Sequence, residues 1–132
     1  MFEALEIGAS GLVAQRVRMD TIAQNVLNAE TTKTASGEPY RRRFVVMGAG
    51  DPTRADGRGV HIAGIGMDQA PFRKVHDPGN PDADADGFVK YPNVDLAYEM
   101  VIMIEASRAY EANITMMETT KAMLTSSMRL LA

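Results

Sequence analysis

Cysteine is absent from this 132-residue sequence, which excludes disulfides, thiolate metal sites and thiol catalysis. Tryptophan is absent too, and the aromatic residues stop at four Tyr and four Phe, so ten Met stand out among the apolar side chains. Histidine occurs only at His61 and His76. No stretch reaches the run of about eighteen apolar residues that a membrane span requires. Neither charge sign dominates. The formal net charge is −3 and the isoelectric point is near 5.3, so no global field draws the chain to nucleic acid or anionic lipid. A cleavable signal peptide is not expected either, because Glu3 and Glu6 occupy the place of a basic n-region and Arg16 and Arg18 interrupt any apolar core. One further absence is positive in effect: after Pro92 there is no glycine or proline.

What is present begins and ends with helical periodicity. Across residues 2–28, Leu5, Ala9, Leu12, Arg16, Met19, Ala23 and Val26 alternate in steps of four and three, the seam of a heptad pattern. Gly8 and Gly11 weaken the first turns by about 1 kcal/mol each relative to Ala, as expected of an end that orders on binding. Across residues 94–131 the same alternation runs for five heptads through Leu96, Met100, Met103, Ser107, Tyr110, Ile114, Met117, Lys121, Leu124, Met128 and Leu131. Asn93 or Asp95 can supply its N-cap. Such a helix would be roughly 55 Å long, far beyond the ~11–12 residues of an average globular helix.

Between them, residues 29–93 change texture. Residues 29–59 hold Thr, Gly, basic residues, Pro39 and Pro52 and read as an extended connector. Residues 44–47, 60–65, 72–75 and 88–91 are short β-leaning runs, and residues 77–87 are a dense turn. The expected fold is mainly α: a coiled coil of terminal helices, residues 1–28 and 94–132, around a small β-rich middle of hairpin or extended strands.

Two helices of this length can bury their seams on each other or on neighbours. From Ala112 to Met128 only Glu118 and Lys121, 2 of 17 residues, are charged. A water-facing helix carries more charge than that. Thr, Ser and Asn occupy the off-seam faces together with Met116 and Met123, and six Met lie between Met100 and Met128. Adaptable methionine contacts suit several non-identical neighbours. The expected assembly interface therefore comprises Leu5, Leu12, Met19 and Val26 with Leu96, Met100, Met103, Tyr110, Ile114, Met117, Leu124, Met128 and Leu131. A private two-helix coil, as in a soluble adaptor or chaperone with a β tip, is the competing reading.

Candidate chemistry is sparse. Asp82, Asp84, Asp86 and Gly87 match the opening of an EF-hand loop. Lys90 and Asn93 stand at its ninth and twelfth positions, and Pro78 and Pro81 exclude the entering helix, so a solvated acidic turn is favoured over a calcium-responsive module. Arg41, Arg42 and Arg43 form the only basic run and are expected to pair with acidic groups on neighbouring subunits. His76 adjoins Asp77 without a nucleophile motif. No enzymatic activity, cofactor, metal, small-molecule substrate or nucleic-acid partner is expected.

Several motifs carry a resemblance. The Ala-Ser-Gly-Leu-Val-Ala run of residues 9–14, Met-Asp-Thr-Ile-Ala-Gln-Asn at 19–25 and Asn-Ala-Glu-Thr-Thr at 28–32 are similar to the N-terminal signature of the flagellar rod and hook protein family. Pro39 to Arg43, the turn from Asp77 to Asp84, Tyr91 to Val94 and Ser-Arg-Ala-Tyr-Glu-Ala-Asn at 107–113 resemble its proximal-rod branch. The Gly-Tyr pair that usually follows the two threonines in other members is missing, and Thr34, Ala35, Ser36 and Gly37 lead to Pro39 instead. The resemblance implies a periplasmic rod subunit of the flagellar basal body that assembles with copies of itself and other rod proteins, transmits torque and encloses the export channel. It also implies delivery without cleavage by the flagellar type III export apparatus.

Overall fold

In the computed structural model, which describes residues 2–132, the chain runs helix, two β-hairpins, helix. Helix α1 spans Phe2–Leu27, strands β1 and β2 span Arg43–Ala49 and Val60–Met67, strands β3 and β4 span Arg73–His76 and Phe88–Tyr91, and helix α2 spans Leu96–Leu131. The N-cap of α2 is Asp95, whose carboxylate accepts from the Ala97 and Tyr98 amides at 3.0 and 3.4 Å. Asn93, the other candidate, serves elsewhere.

Strands β1 and β2 pair antiparallel from Arg43 opposite Met67 to Ala49 opposite Val60, with a register shift between Val46 and Met47. Gly50, at φ +79°, and Gly59, at φ +90°, close that end through a 2.7 Å backbone bond. The β1–β2 connection reaches the start of α1: Arg54 pairs with Glu6 at 2.6 Å, Arg58 pairs with Glu3, and the Val60 amide donates to Ser10 Oγ. Strands β3 and β4 form a separate short hairpin, Arg73 opposite Tyr91 to His76 opposite Phe88. The middle thus holds true hairpins. The connector before β1 is less extended than expected, because Tyr40 N donates to Thr31 O and Thr34 N to Glu38 O, folding the segment back on itself.

The two long helices lie antiparallel. Asn25 meets Glu99, Arg18 pairs with Glu105 at 3.8 Å, Gly11 faces Asn113, and Gly8 faces Met116 and Met117. A Cβ at Gly8 would stand 2.7 Å from Met116 Cε and 2.8 Å from Met117 Cγ, and one at Gly11 would stand 2.9 Å from Asn113 Nδ2. These glycines therefore set the closeness of the helices, and the turns they occupy are helical rather than unformed. Small side chains let backbones approach where larger ones would splay them.

The line of contact is rotated from the sequence pattern. Leu5, Leu12, Met19 and Val26 are half-buried, but Gly8 and Ile22 are buried where Ala9 and Ala23 were expected to face the partner. On α2 the deepest residues are Glu99 and Ala106, one position before Met100 and Ser107. One residue is about 100° on a helix, so each expected seam lies beside the centre of the contact, with Ala9 and Arg16 of α1 and Leu96, Met100, Lys121, Met128 and Leu131 of α2 left exposed. The buried centre sits at the α1–α2 base, where Ala29, Tyr40 and Val94 cluster.

Candidate assembly surfaces

A buried polar hub fixes the base of the helix pair. Asn25 is fully buried and uses every hydrogen-bonding position of its amide. Its Oδ1 accepts from Tyr40 Oη at 2.9 Å and the Arg43 amide at 3.0 Å, while Nδ2 donates to Arg43 O at 2.8 Å and Glu99 Oε2 at 3.3 Å. Glu99, 0% exposed, accepts Arg42 Nε on its other oxygen. Arg42 also reaches Asp68 at 3.6 Å and lies over the Tyr98 ring. Asn93 accepts from the Arg42 amide at 2.8 Å and donates to the carbonyls of Asp68 and Ala70.

Burial raises the Tyr40 phenol above its ordinary range; the nearby Arg43 guanidinium opposes the shift and Glu99 adds to it. The phenol stays protonated and keeps donating to Asn25. The hub ties both helices, the connector, β1 and the β2–β3 link into one unit. Its carboxylate and amides are consumed by one another, so it orders structure and offers no substrate a free group.

The arginine run is thus used mainly inside the chain, correcting the expectation that it pairs with neighbouring subunits. Arg41 donates to Asp68 O and Ala70 O and lies 4.3 Å from the Phe72 ring centroid. Arg43 is exposed and lies over Tyr40. The acidic turn is likewise internally engaged: Asp84 Oδ1 accepts from the amides of Asp86 and Phe88, both at 2.9 Å, and Asp82 accepts from Thr32. Among the described residues no group of three acidic or histidine side chains converges to hold a metal. His61 contacts Gly50 O within its hairpin, and His76 meets Phe88 edge to face.

The proposed interface residues divide by placement. Leu5, Leu12, Met19, Val26, Met103, Tyr110, Ile114, Met117 and Leu124 are half-buried in this single chain. Leu96, Met100, Met128 and Leu131 are exposed. Beside them lie residues that the heptad reading left out: Leu27 at 82% exposure, Val101 and Ile104 on the outer faces, and Leu130 at 89%. An open groove of about 520 Å³ runs between Ala23, Val26 and Leu27 of α1 and Met100, Met103 and Ile104 of α2. At the opposite end, continuing the antiparallel register puts Phe2 near Ala122, so about two turns of α2 project beyond α1.

The threonines of α2 do not present free hydroxyls. Those of Thr115, Thr119, Thr120 and Thr125 donate to backbone carbonyls four residues earlier, at 2.8 to 3.1 Å. With the hydroxyl tied down, the exposed face is less polar than its composition implies. The hub residues Asn25, Tyr40, Arg42 and Asn93 all belong to the sequence motifs noted above, but nothing in the local pattern linked them to Glu99, which reads as an ordinary acidic residue of a helix's first turn.

Comparison with known proteins agrees with this architecture. The family model described as flagellar basal body rod FlgEFG protein C-terminal matches residues 85–130, which cover β4 and nearly all of α2. The flagellar basal-body rod protein FlgC of Borreliella burgdorferi is 38% identical, across 99% of this chain and 97% of its own length. FlgC proteins of Bacillus subtilis and Salmonella typhimurium are each 41% identical, covering 93% and 98% of this chain and 93% and 97% of theirs. Such identity end to end, over two long helices and a small hairpin middle, means that the chain belongs to the FlgC family of flagellar basal-body rod proteins, which are structural subunits and not enzymes.

Proposed function

We propose that this chain builds the proximal part of the rod by packing the outer faces of its helix pair against copies of itself and related rod subunits. The helices then form a coiled-coil inner layer that encloses the export channel and transmits torque, and the hairpins contact neighbours further out. Passage through the flagellar type III export apparatus into the periplasmic rod, without cleavage, belongs to the same reading. One observation carries it: large apolar side chains are exposed on both helices, Val13 and Leu27 on α1 and Met100, Val101, Ile104, Met128 and Leu131 on α2. Exposed apolar surface of this extent marks an interface.

Ile114→Asp or Leu124→Asp is expected to block rod assembly, since an unpaired carboxylate in a dry interface costs several kcal/mol. Both positions are half-buried, so Met128→Asp, at 64% exposure, separates assembly from folding. It should leave the melting temperature of the isolated chain unchanged and abolish motility. Motile cells with normal rods carrying Met128→Asp would refute the helix-face assignment. A density map of the basal body tests the remainder directly, by placing or failing to place residues 1–28 and 94–131 in the inner layer.

A further inference from the structure

Arg41 and Arg42 spend their guanidinium groups inside the chain, whereas the Arg43 side chain meets only the Tyr40 ring, 5.7 Å away. Arg43 borders a cleft of about 290 Å³ where α1, β1 and α2 meet, and the lining includes Arg18, Arg42 and Tyr98 but no acidic residue. Arg42 is neutralised by the buried Glu99. Arg18 reaches only Glu105, at 3.8 Å, through a carboxylate side chain that is 66% exposed. Two guanidinium groups therefore face an open cleft with little compensating charge. We infer that this cleft receives the acidic turn of a second copy of this chain, Asp86 meeting Arg43 and Asp77 meeting Arg18. The contact rests on the rod reading above and adds a polar, directional component to it.

Size and charge select the occupant. A single helical turn with its side chains fills more than ~400 Å³, so the cleft is too small for a helix and admits side chains offered by a turn. Residues 77–87 carry four Asp and no Lys or Arg. All four are exposed and form no ion pair among the described residues. They are not equivalent. Asp82 and Asp84 share a hollow with Lys33 and Lys90 and accept from Thr32 and from the amides of Asp86 and Phe88. The carboxylates of Asp77 and Asp86 have no such engagement, and the 2.9 Å bond from the Asp77 amide to Gly87 O holds both at the neck of one hairpin. Guanidinium groups pair with carboxylates through two parallel hydrogen bonds, a geometry that fixes orientation as well as charge.

Within one chain the turn is anchored on the connector through Asp82 and Thr32, which leaves the cleft to another copy. Turn and cleft are different surfaces, so each copy gives one and receives one, and the contacts run on from subunit to subunit instead of closing a two-fold dimer.

Charge reversal tests the pairing in cells whose own copy is deleted. Arg43→Asp and Asp86→Arg are each expected to lose motility, because like charges set against each other across an interface oppose assembly. The two changes in one chain are expected to restore it, which also shows that both variants fold. Single variants that swim normally, or a double variant no better than its parents, overturn the inference. Loss with Arg43→Asp but not with Asp86→Arg gives the cleft to a different acidic partner and overturns it as well. Arg43→Lys keeps the charge and allows a zero-length carbodiimide to join the two side chains in isolated basal bodies. Peptide mapping of mixed tagged and untagged copies is expected to show residue 43 joined to residue 86 between chains; no link, or a link only within one chain, defeats the contact. Failure of the unaltered chain to support motility in these cells defeats the rod reading instead.

Discussion

Replacing Glu99 by Ala should produce the largest loss of stability of any single substitution considered for this chain. Glu99 has no solvent exposure, and the Arg42 side chain that it pairs with is only 14% exposed. Truncation leaves that guanidinium with Asp68 at 3.6 Å as its remaining carboxylate and removes an acceptor from Asn25. Breaking a buried pair by deleting one partner costs about 3–5 kcal/mol, whereas an exposed pair contributes about 0–1. Because Asp68 and some solvent still reach Arg42, the lower end, about 3 kcal/mol, is expected.

A domain of this size has roughly 5–15 kcal/mol in all. With a urea slope of about 1–3 kcal/mol per molar, the unfolding midpoint should fall by at least 1 M, read by helical circular dichroism. Arg42→Ala with Glu99→Ala should cost less than the two single losses together, by about 1–3 kcal/mol, because the pair is then removed as a unit. A loss below about 1 kcal/mol for Glu99→Ala, or strict additivity in the double variant, would refute the hub as the clamp at the helix base.

Three further outcomes follow from the same structure. Gly8→Leu should destabilise by about 1–3 kcal/mol through overpacking against Met116 and Met117. Gly8→Ala should cost less than Gly8→Leu, because Met116 Cε is the free end of a flexible side chain and helix propensity offsets about 1 kcal/mol of the crowding against Met117 Cγ; urea titration of both variants checks the contrast. Asp95→Ala should cost about 1 kcal/mol by leaving the Ala97 and Tyr98 amides uncapped, seen as a lower melting temperature. Burial raises the folded pKa of Tyr40, so its contribution to stability is complete below the unfolded value of about 10 and is lost as pH rises through the folded value. Urea midpoints measured into that alkaline range should show the loss, and Tyr40→Phe should lack this component.

The two helices were legible from local pattern alone. Heptad spacing over residues 5–26 and 96–131, the cap at Asp95 and the absence of breakers after Pro92 are short-range properties, and the observed elements begin and end within a few residues of the expected ones. The strands were legible for the same reason, as β-leaning runs between turn clusters, although their pairing was not. Rotation of the seam lay beyond the pattern. Periodicity identifies an apolar stripe but not which edge of it the partner covers, and here two glycines and a buried asparagine turn the helices by about one residue. The hub was hidden further still, since Asn25 and Glu99 are 74 residues apart and Arg42 and Glu99 are 57. Spacing along a chain carries element type. Which polar groups are desolvated together depends on how the elements pack, and that packing left Met100 and Leu131 on the outside of the helices and put Glu99 within.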